Sequence, residues 1–320
     1  MRTFNSRPAR LRRVELSVPG SNPKMVAKAN THGADVVIFD LEDSVAPAEK
    51  STARRTISDA LRMLDFGSSL RAVRMNAPGS PWAHGDLIEL MEHAGDLIDV
   101  VVVPKVTSPR DVWYVDTLLT ELEGKLRLQR RVGLELLIEE AEGLGRVEEI
   151  AGCCDRTEAL VLGFGDMAAS LGMRLDDLSG EGDTVDYPGD IWHAPRSRLV
   201  AAARAHGLDP IEGPFLNFAN PERLRRDARL AAAMGCVGKW AIHPNQVSAV
   251  QAVFSPTGSE VARARAAIDA MRASEAAGAG AAAHNGAMLD AATTRMFQQT
   301  VDRAEAITAR TSAESGTRPR

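Results

Sequence analysis

A chain of 320 residues, 44% hydrophobic and 25% charged with a formal net charge of −5, holds enough apolar material for one large domain. Its mildly acidic balance argues against nucleic acid or an anionic membrane as partner. No apolar run reaches the ~20 residues of a membrane span. The N-terminal MRTFNSRPARLRR is basic but lacks the apolar centre of a secretory signal. Cys153, Cys154 and Cys236 are odd in number and show no metal-ligand spacing. Together these features predict a reduced, cytoplasmic protein.

In chain order, short apolar runs rich in β-branched residues predict strands at 13–18 (RVELSV), 35–40 (DVVIFD), 70–75 (LRAVRM), 99–105 (DVVVVPK), 133–139 (GLELLIE), 159–164 (ALVLGF), 208–213 (LDPIEG) and 236–242 (CVGKWAI). Between them lie amphipathic stretches such as PKMVAKANTHG, DLIELMEHAG, VWYVDTLLTELEGK and PERLRRDARLAAAMG. Near-continuous apolar strands alternating with helices mean parallel strands covered on both faces. Eight such units predict an α/β fold of the (β/α)8 TIM-barrel type. SVPGSNPK is no GxGxxG, which weighs against an open dinucleotide-binding sheet. The long link MRLDDLSGEGDTVDYPGDIWHAPRSR, rich in Gly, Asp and Pro, is expected to cross the barrel mouth. Beyond the eighth strand, EVARARAAIDAMRASEAA and DAATTRMFQQTVDRAEAITAR predict two helices around a flexible GAGAAAHNGA. The expected domains are a TIM-barrel catalytic domain over 1–255, a C-terminal helical lid over 256–310 and a disordered tail over 311–320.

In a barrel of this type the active site lies at the C-terminal ends of the strands. There the sequence places Asp40, Glu42 and Asp43 after the second strand, Arg74 and Asn76 on the third, and Lys105 after the fourth. Glu139 and Glu140 end the fifth, Asp166 the sixth, and Lys239 and His243 belong to the eighth. Glu139 and Asp166, on adjacent strands, would repel unless one is protonated or a cation lies between them. An oxygen-rich pair without a His/Cys pattern selects a hard ion, Mg2+ or Mn2+. Asp40, Glu42 and Asp43 would then hold metal-bound water or orient Arg74. For Asp43 and Glu140, helix capping or pairing with arginine is an equal alternative. Arg74 has the fork that suits a carboxylate or an enolate oxygen.

Lys105 stands among too many acids to have the depressed pKa of a Schiff-base lysine, so an electrostatic role is expected. Lys239 is expected to pair with an acid and His243 to be structural. Trp82 and Trp192 fall in loops near the mouth. After the first strand, Pro19, Gly20 and Ser21 lead into a helix, and Arg10, Arg12, Arg13, Lys24 and Lys28 add positive charge. A polyphosphate handle could lie there. Asp290 reads as an N-cap, or as a carboxylate that a lid delivers to the site.

FDLEDSV, VRMNAPGSPW, VVVPKV, LLIEEAEG, LGFGDMAASLGM, GPFLNF, GKWAIHPNQ and GAMLDAA occur in that order. In this the chain resembles the citrate-lyase-β/HpcH-like family of CoA-thioester lyases from residue 8 to 308, and within it the L-malyl-CoA/β-methylmalyl-CoA lyase group. The resemblance implies a Mg2+-dependent TIM barrel that forms a homo-oligomer, trimer or hexamer, with the lid reaching a neighbouring subunit. It implies Glu139 and Asp166 as metal ligands, Arg74 as the group that stabilises a thioester enolate, and Asp290 as acid/base in a neighbour's site. Pro19, Gly20, Ser21, Arg13, Lys24 and Lys28 would hold coenzyme A.

The implied reaction is reversible cleavage of (S)-malyl-CoA to acetyl-CoA and glyoxylate, and of β-methylmalyl-CoA to propionyl-CoA and glyoxylate. Glu140 and Asn217 depart from residues common in the family, Ser or Thr and Asp respectively. These departures bear on the exact substrate, for which citramalyl-CoA is the rival; a malyl-CoA thioesterase and a non-catalytic lyase subunit are the alternatives of other classes.

Overall fold

A computed structural model of the chain describes residues 8–173 and 190–316. Eight parallel strands follow one another around a closed barrel. They are β1 (Val14–Pro19), β2 (Val36–Asp40), β3 (Leu70–Arg74), β4 (Val100–Val103), β5 (Gly133–Ile138), β6 (Thr157–Leu162), β7 (Asp209–Glu212) and β8 (Gly238–Ala241). Every strand of β2, β4, β5 and β6 is buried along its whole length. That is why their sequences run apolar without alternating: one face meets the barrel interior and the other the surrounding helices.

The interior is a single cluster. Val36, Ile38, Ala72, Val100, Val102, Leu137, Ala159, Val161, Ile211 and Trp240 fill it. Side chains two apart share a face of a strand. Asp40 therefore continues the inward row of Val36 and Ile38, Arg74 that of Ala72, and Glu139 that of Leu137. Register brings the first two together, because Pro19 pairs with Asp40 and Asp40 with Arg74 across β1, β2 and β3.

At the opposite, N-terminal end the interior closes on charge. Arg12 is buried and holds Glu135 at 2.7 Å, Glu158 at 2.5 Å and Glu15 at 3.5 Å. Trp240 Nε1 donates to Glu15 and Glu135 at 2.9 and 3.2 Å. Around the rim Arg13 forks onto Asp35, Arg71 and Arg130 share Asp99, and Arg10 reaches Glu158. Burial raises Glu15 well above the usual carboxylate range, with Glu135 adding to it and Arg12 opposing.

The expected helix at PKMVAKANTHG is two short pieces, an α-turn at Pro23–Val26 and a 3-10 turn at Ala29–Thr31. The first is set by Pro23 and by the Asn22 side chain, which accepts from the Met25 N–H. Of the long link between β6 and β7, residues 174–189 lie outside the described residues, and so does the end of the expected tail, 317–320.

The chain divides after Gln251 into two compact units. In the second unit the helix Gly258–Ala276 starts on a Thr257/Glu260 capping box and packs Ala264 and Ile268 against Val301. The stretch expected to be flexible is a hairpin, β9 (Ala282–His284) and β10 (Ala287–Leu289). Asn285 and Gly286 turn it at φ 49° and 77°. Asn-Gly is the residue pair that such left-handed turns favour, and it outweighed the small-residue composition. The last helix runs from Ala291 to Gly316, past residue 311 where disorder was expected, since extending a formed helix costs far less than starting one.

Candidate active site

The C-terminal mouth of the barrel collects the inward rows described above. Arg74 donates from Nε and Nη2 to the two oxygens of Asp40, both at 2.7 Å, and its Nη1 lies 3.1 Å from Glu42 Oε2. Beneath it the guanidinium sits 5.7 Å from the centre of the Trp240 ring, a contact that favours a fixed cation. Asp40 is fully buried. Burial alone would raise its pKa, but the Arg74 charge and hydrogen bonds from Arg74, Ser44 and the Glu42 N–H bring it below the usual carboxylate range. Arg74 is thus held rigidly, and a fork with five N–H groups retains donors for a further oxygen.

Lys105 follows β4 in a left-handed backbone conformation, φ 51°, which a lysine adopts only when its surroundings compel it. Here they do. Its N–H donates to Glu139 Oε1 at 2.8 Å, while its ammonium meets Glu42 at 2.5 Å and Asp43 at 2.9 Å, with Asp166 at 3.9 Å. These acids raise the Lys105 pKa against the lowering effect of its own partial burial, which is the largest single influence. The ammonium therefore stays charged, as the electrostatic role requires.

Glu139 is 3% exposed, and its pKa is pushed up to about 8, first by burial and then by the charges of Glu42 and Asp166, with Arg74 opposing. Gly163 makes room for it: a Cβ there would stand 2.6 Å from both Glu139 Cβ and Oε2. Asp166 lies in the first turn of the helix Phe164–Ser170 with its side chain 38% exposed. Glu42 Oε2, buried, accepts no hydrogen bond of good geometry, although Arg74 lies near it. Burial is also the main reason the Glu42 pKa is raised.

The mouth therefore holds five carboxylates, Asp40, Glu42, Asp43, Glu139 and Asp166, against Arg74 and Lys105. One step further out, Lys50 spends its ammonium on the Leu41 and Glu42 carbonyls at 2.8 and 3.1 Å. An excess of acid, with Asp40, Glu42 and Glu139 buried, and an all-oxygen donor set suit a hard divalent cation. Among the described residues no three His, Cys, Asp or Glu side chains form a ready-made metal cage. Glu139 and Asp166 with water and substrate oxygens fit such an ion better than a protein-only site does.

Other expected residues divide. Pro19, Gly20 and Ser21 lie at the mouth: the Gly20 N–H donates to the Asp40 carbonyl at 2.9 Å, and a Cβ on Gly20 would meet that oxygen at 2.7 Å. Lys24 and Lys28 are exposed just beyond. Arg13 is a correction. It precedes β1 and is spent on Asp35 at 2.9 Å, one strand length, roughly 20 Å, from Pro19. Arg10 and Arg12 share that opposite end, and sequence proximity misplaced all three because a strand carries its two termini to opposite faces.

Asn76 does not point to chemistry: its N–H and side-chain amide tie down Asp86. Lys239 pairs with Asp227 at 2.7 Å outside the barrel wall, and His243 stacks on Phe218, their ring centres 4.9 Å apart. Trp82 carries Lys50 over its ring, and Trp192 packs on Phe164. Glu140 occupies the cap position of the helix Ala141–Gly145, and Asn217 accepts from the Ala219 N–H. In the second unit Asp290 is exposed and accepts from the Ala292 and Thr293 N–H groups at 3.0 and 2.8 Å, capping its helix and lowering its pKa. Ser44 and Gly163 were missed. Ser44, in the quoted DLEDS, could have been read as a partner for the acid that ends β2, whereas Gly163 gave no signal of its own.

Comparison with known proteins agrees with this architecture. The family model for HpcH/HpaI aldolase/citrate lyase matches residues 13–244. An L-malyl-CoA/beta-methylmalyl-CoA lyase of Rhodobacter capsulatus is 40% identical over 311 residues, covering 95% of this chain and 98% of that protein. A malyl-CoA/beta-methylmalyl-CoA/citramalyl-CoA lyase of Chloroflexus aurantiacus is 34% identical over 287 residues, 85% of this chain and 81% of the other. Among solved structures, the CitE protein of Mycobacterium tuberculosis in complex with magnesium, acetoacetate and coenzyme A superposes with a TM-score of 0.72 at 30% identity, covering 91% and 97% of the two chains. No helix among the described residues is long and apolar enough to cross a membrane. A closed parallel barrel with this mouth and these relatives places the chain in the HpcH/HpaI aldolase/citrate lyase family, as an enzyme of the lyase type.

Proposed function

We propose that the chain is a Mg2+-dependent carbon–carbon lyase that reversibly cleaves (S)-malyl-CoA to acetyl-CoA and glyoxylate, and β-methylmalyl-CoA to propionyl-CoA and glyoxylate. The observation that carries this reading is the placement of an immobilised, permanently charged Arg74 beside Glu139 in a mouth with excess negative charge. The 40% identity to lyases of that name supports the substrate.

Glu139 and Asp166 would hold Mg2+, with Mn2+ able to replace it. The bound ion would supply chelation of the substrate's carboxylate and hydroxyl and a lower pKa for that hydroxyl. Arg74, oriented by Asp40 and Glu42, donates to the thioester oxygen. When the hydroxyl passes its proton to solvent water, the bond between the hydroxyl carbon and the thioester's α-carbon breaks. Its electron pair passes to the thioester, whose enolate oxygen Arg74 stabilises, and the hydroxyl carbon leaves as the aldehyde of glyoxylate. A proton then adds to the α-carbon. We assign its delivery to Asp290 of the partner subunit, brought by the helical extension, whose carboxylate takes up the proton released to water and passes it to the α-carbon. Its cap bonds favour the carboxylate, the form that starts the reverse condensation by taking a methyl proton from acetyl-CoA. Coenzyme A lies along Pro19, Gly20 and Ser21, with its phosphates toward Lys24 and Lys28.

Purified protein assayed with (S)-malyl-CoA, with Mg2+ and with EDTA, tests this when glyoxylate and free thiol are followed together. Glyoxylate and acetyl-CoA are expected only with metal. Thiol and malate without glyoxylate would make the chain a thioesterase, and cleavage of citramalyl-CoA alone would move the substrate toward that of the Chloroflexus relative. For the lid, inactive Arg74→Ala mixed with inactive Asp290→Ala should regain activity in mixed oligomers. No regain would place Asp290 in its own chain's site.

A further inference from the structure

The indole of Trp240 reaches groups from both ends of the barrel. It is 3% exposed and is the bulkiest side chain of the interior cluster. Strand register sets it level with Glu15 of β1. From there its Nε1 donates toward the floor, to Glu15 Oε2 and Glu135 Oε1. On the mouth side the Arg74 guanidinium lies over its ring, 5.7 Å from the centre. Ala72, two residues before Arg74 on the same inward row, and Ala159 share this interior. Small side chains there leave volume for a bicyclic ring.

These contacts restrain different motions. Asp40 and Glu42 hold the edges of the guanidinium, and hydrogen bonds made in the plane of the fork fix it within that plane. They oppose tipping out of the plane less well. An aromatic face beneath the cation does oppose it, because the ring attracts the charge at one separation and excludes it at a shorter one. The ring itself is kept from rocking by its N–H, which is tied to two acids of the floor. Arg12 takes the other oxygen of each acid, Glu15 Oε1 and Glu135 Oε2, so the acceptors of the indole are its own. Leucine or phenylalanine would fill the core, but neither joins a π face to a hydrogen-bond donor.

We propose that Trp240 is a positioning residue for the cleavage reaction: it seats Arg74 from below and takes its own orientation from Glu15 and Glu135. The proposal rests on Arg74 being the group that stabilises the enolate. Because Trp240 acts through Arg74, its effect belongs to the step in which the enolate charge forms, and so to kcat rather than KM.

Steady-state kinetics with (S)-malyl-CoA and Mg2+ test it, with thermal melting as the check on folding. Trp240→Leu should lower kcat about tenfold and Trp240→Phe, which keeps a π face, about threefold, both with KM near wild type. The same substitutions in an Arg74→Ala background, followed at high enzyme concentration, should cost the residual turnover nothing more, since no guanidinium is left to seat. In metal-free crystals of Trp240→Leu the Arg74 guanidinium should shift or take two orientations. Wild-type kcat in folded Trp240→Leu, an equal loss with and without Arg74, or an unmoved Arg74 would each overturn the proposal and leave Trp240 to packing alone. Should Trp240→Leu not fold, Trp240→Phe in the two backgrounds decides by the same comparison. Normal turnover of Arg74→Ala alone would remove the role of Arg74 and this proposal with it, a failure recognised without any change at Trp240.

Discussion

The two ends of the barrel hold the same kinds of residue to opposite effect. At the N-terminal end Arg10, Arg12, Arg13, Arg71 and Arg130 meet Glu15, Asp35, Asp99, Glu135 and Glu158, cation for anion, and each is tied by an ion pair. At the C-terminal end five carboxylates face Arg74 and Lys105, with Lys50 turned to carbonyls. Charge that cancels is scaffolding. Charge left over in a concave, partly dry mouth marks a place where something positive or reactive is meant to come. The list of residues at each end would not separate the two; the balance does.

The largest effects should come from breaking the uncancelled end. Asp166→Asn is expected to reduce metal-dependent cleavage to background while the melting temperature stays within a few degrees of wild type. Near-normal turnover in that folded variant would remove Asp166 from the metal site. Arg74→Ala should lower kcat by roughly 10²–10³, the usual cost of losing one stabiliser of developing negative charge. An effect on KM alone would mean that Arg74 only binds substrate.

The cancelled end should respond the other way. Arg12→Ala strands three acids in the barrel floor and should cost about 3–5 kcal/mol in urea unfolding, with kcat per folded molecule preserved. A stable variant with lost turnover would contradict the division of the two ends.

Lys105 links site and backbone, and two variants separate its parts. Lys105→Ala should lose about 10–100-fold in activity or metal affinity, as residues that orient ligands do. Lys105→Gly adopts the left-handed conformation freely, so a wild-type rate there would leave the main-chain N–H to Glu139 as the only contribution. The smallest effect concerns Glu139 itself. In EDTA its folded pKa of about 8 lies above its unfolded value, so the folded state keeps the proton longer. Stability should then fall as pH rises from about 4.5 to about 8. Glu139→Gln should flatten that slope, and an unchanged slope would show that other groups set it.

Much of this was legible before any coordinates. The eight strands follow from apolar, β-branched runs, and Asp40, Arg74, Lys105 and Glu139 from their positions at strand ends. Where the reading failed, the cause was geometric. Arg13 stood six residues from Pro19 but at the far end of a strand. Asn285-Gly286 formed a tight hairpin inside a stretch that composition alone called flexible.

The sequence by itself determined the barrel, because burial on both faces and parallel order follow from local pattern, and it determined which residue types crowd the mouth. Only the tertiary structure decided what they do there. It spent Arg10, Arg12 and Arg13 on the floor, locked Asp40 against Arg74 through strand register, and lifted the Glu139 pKa by burying it beside Glu42 and Asp166. Pairing and desolvation are properties of neighbours in space, and one chain order does not state who those neighbours are.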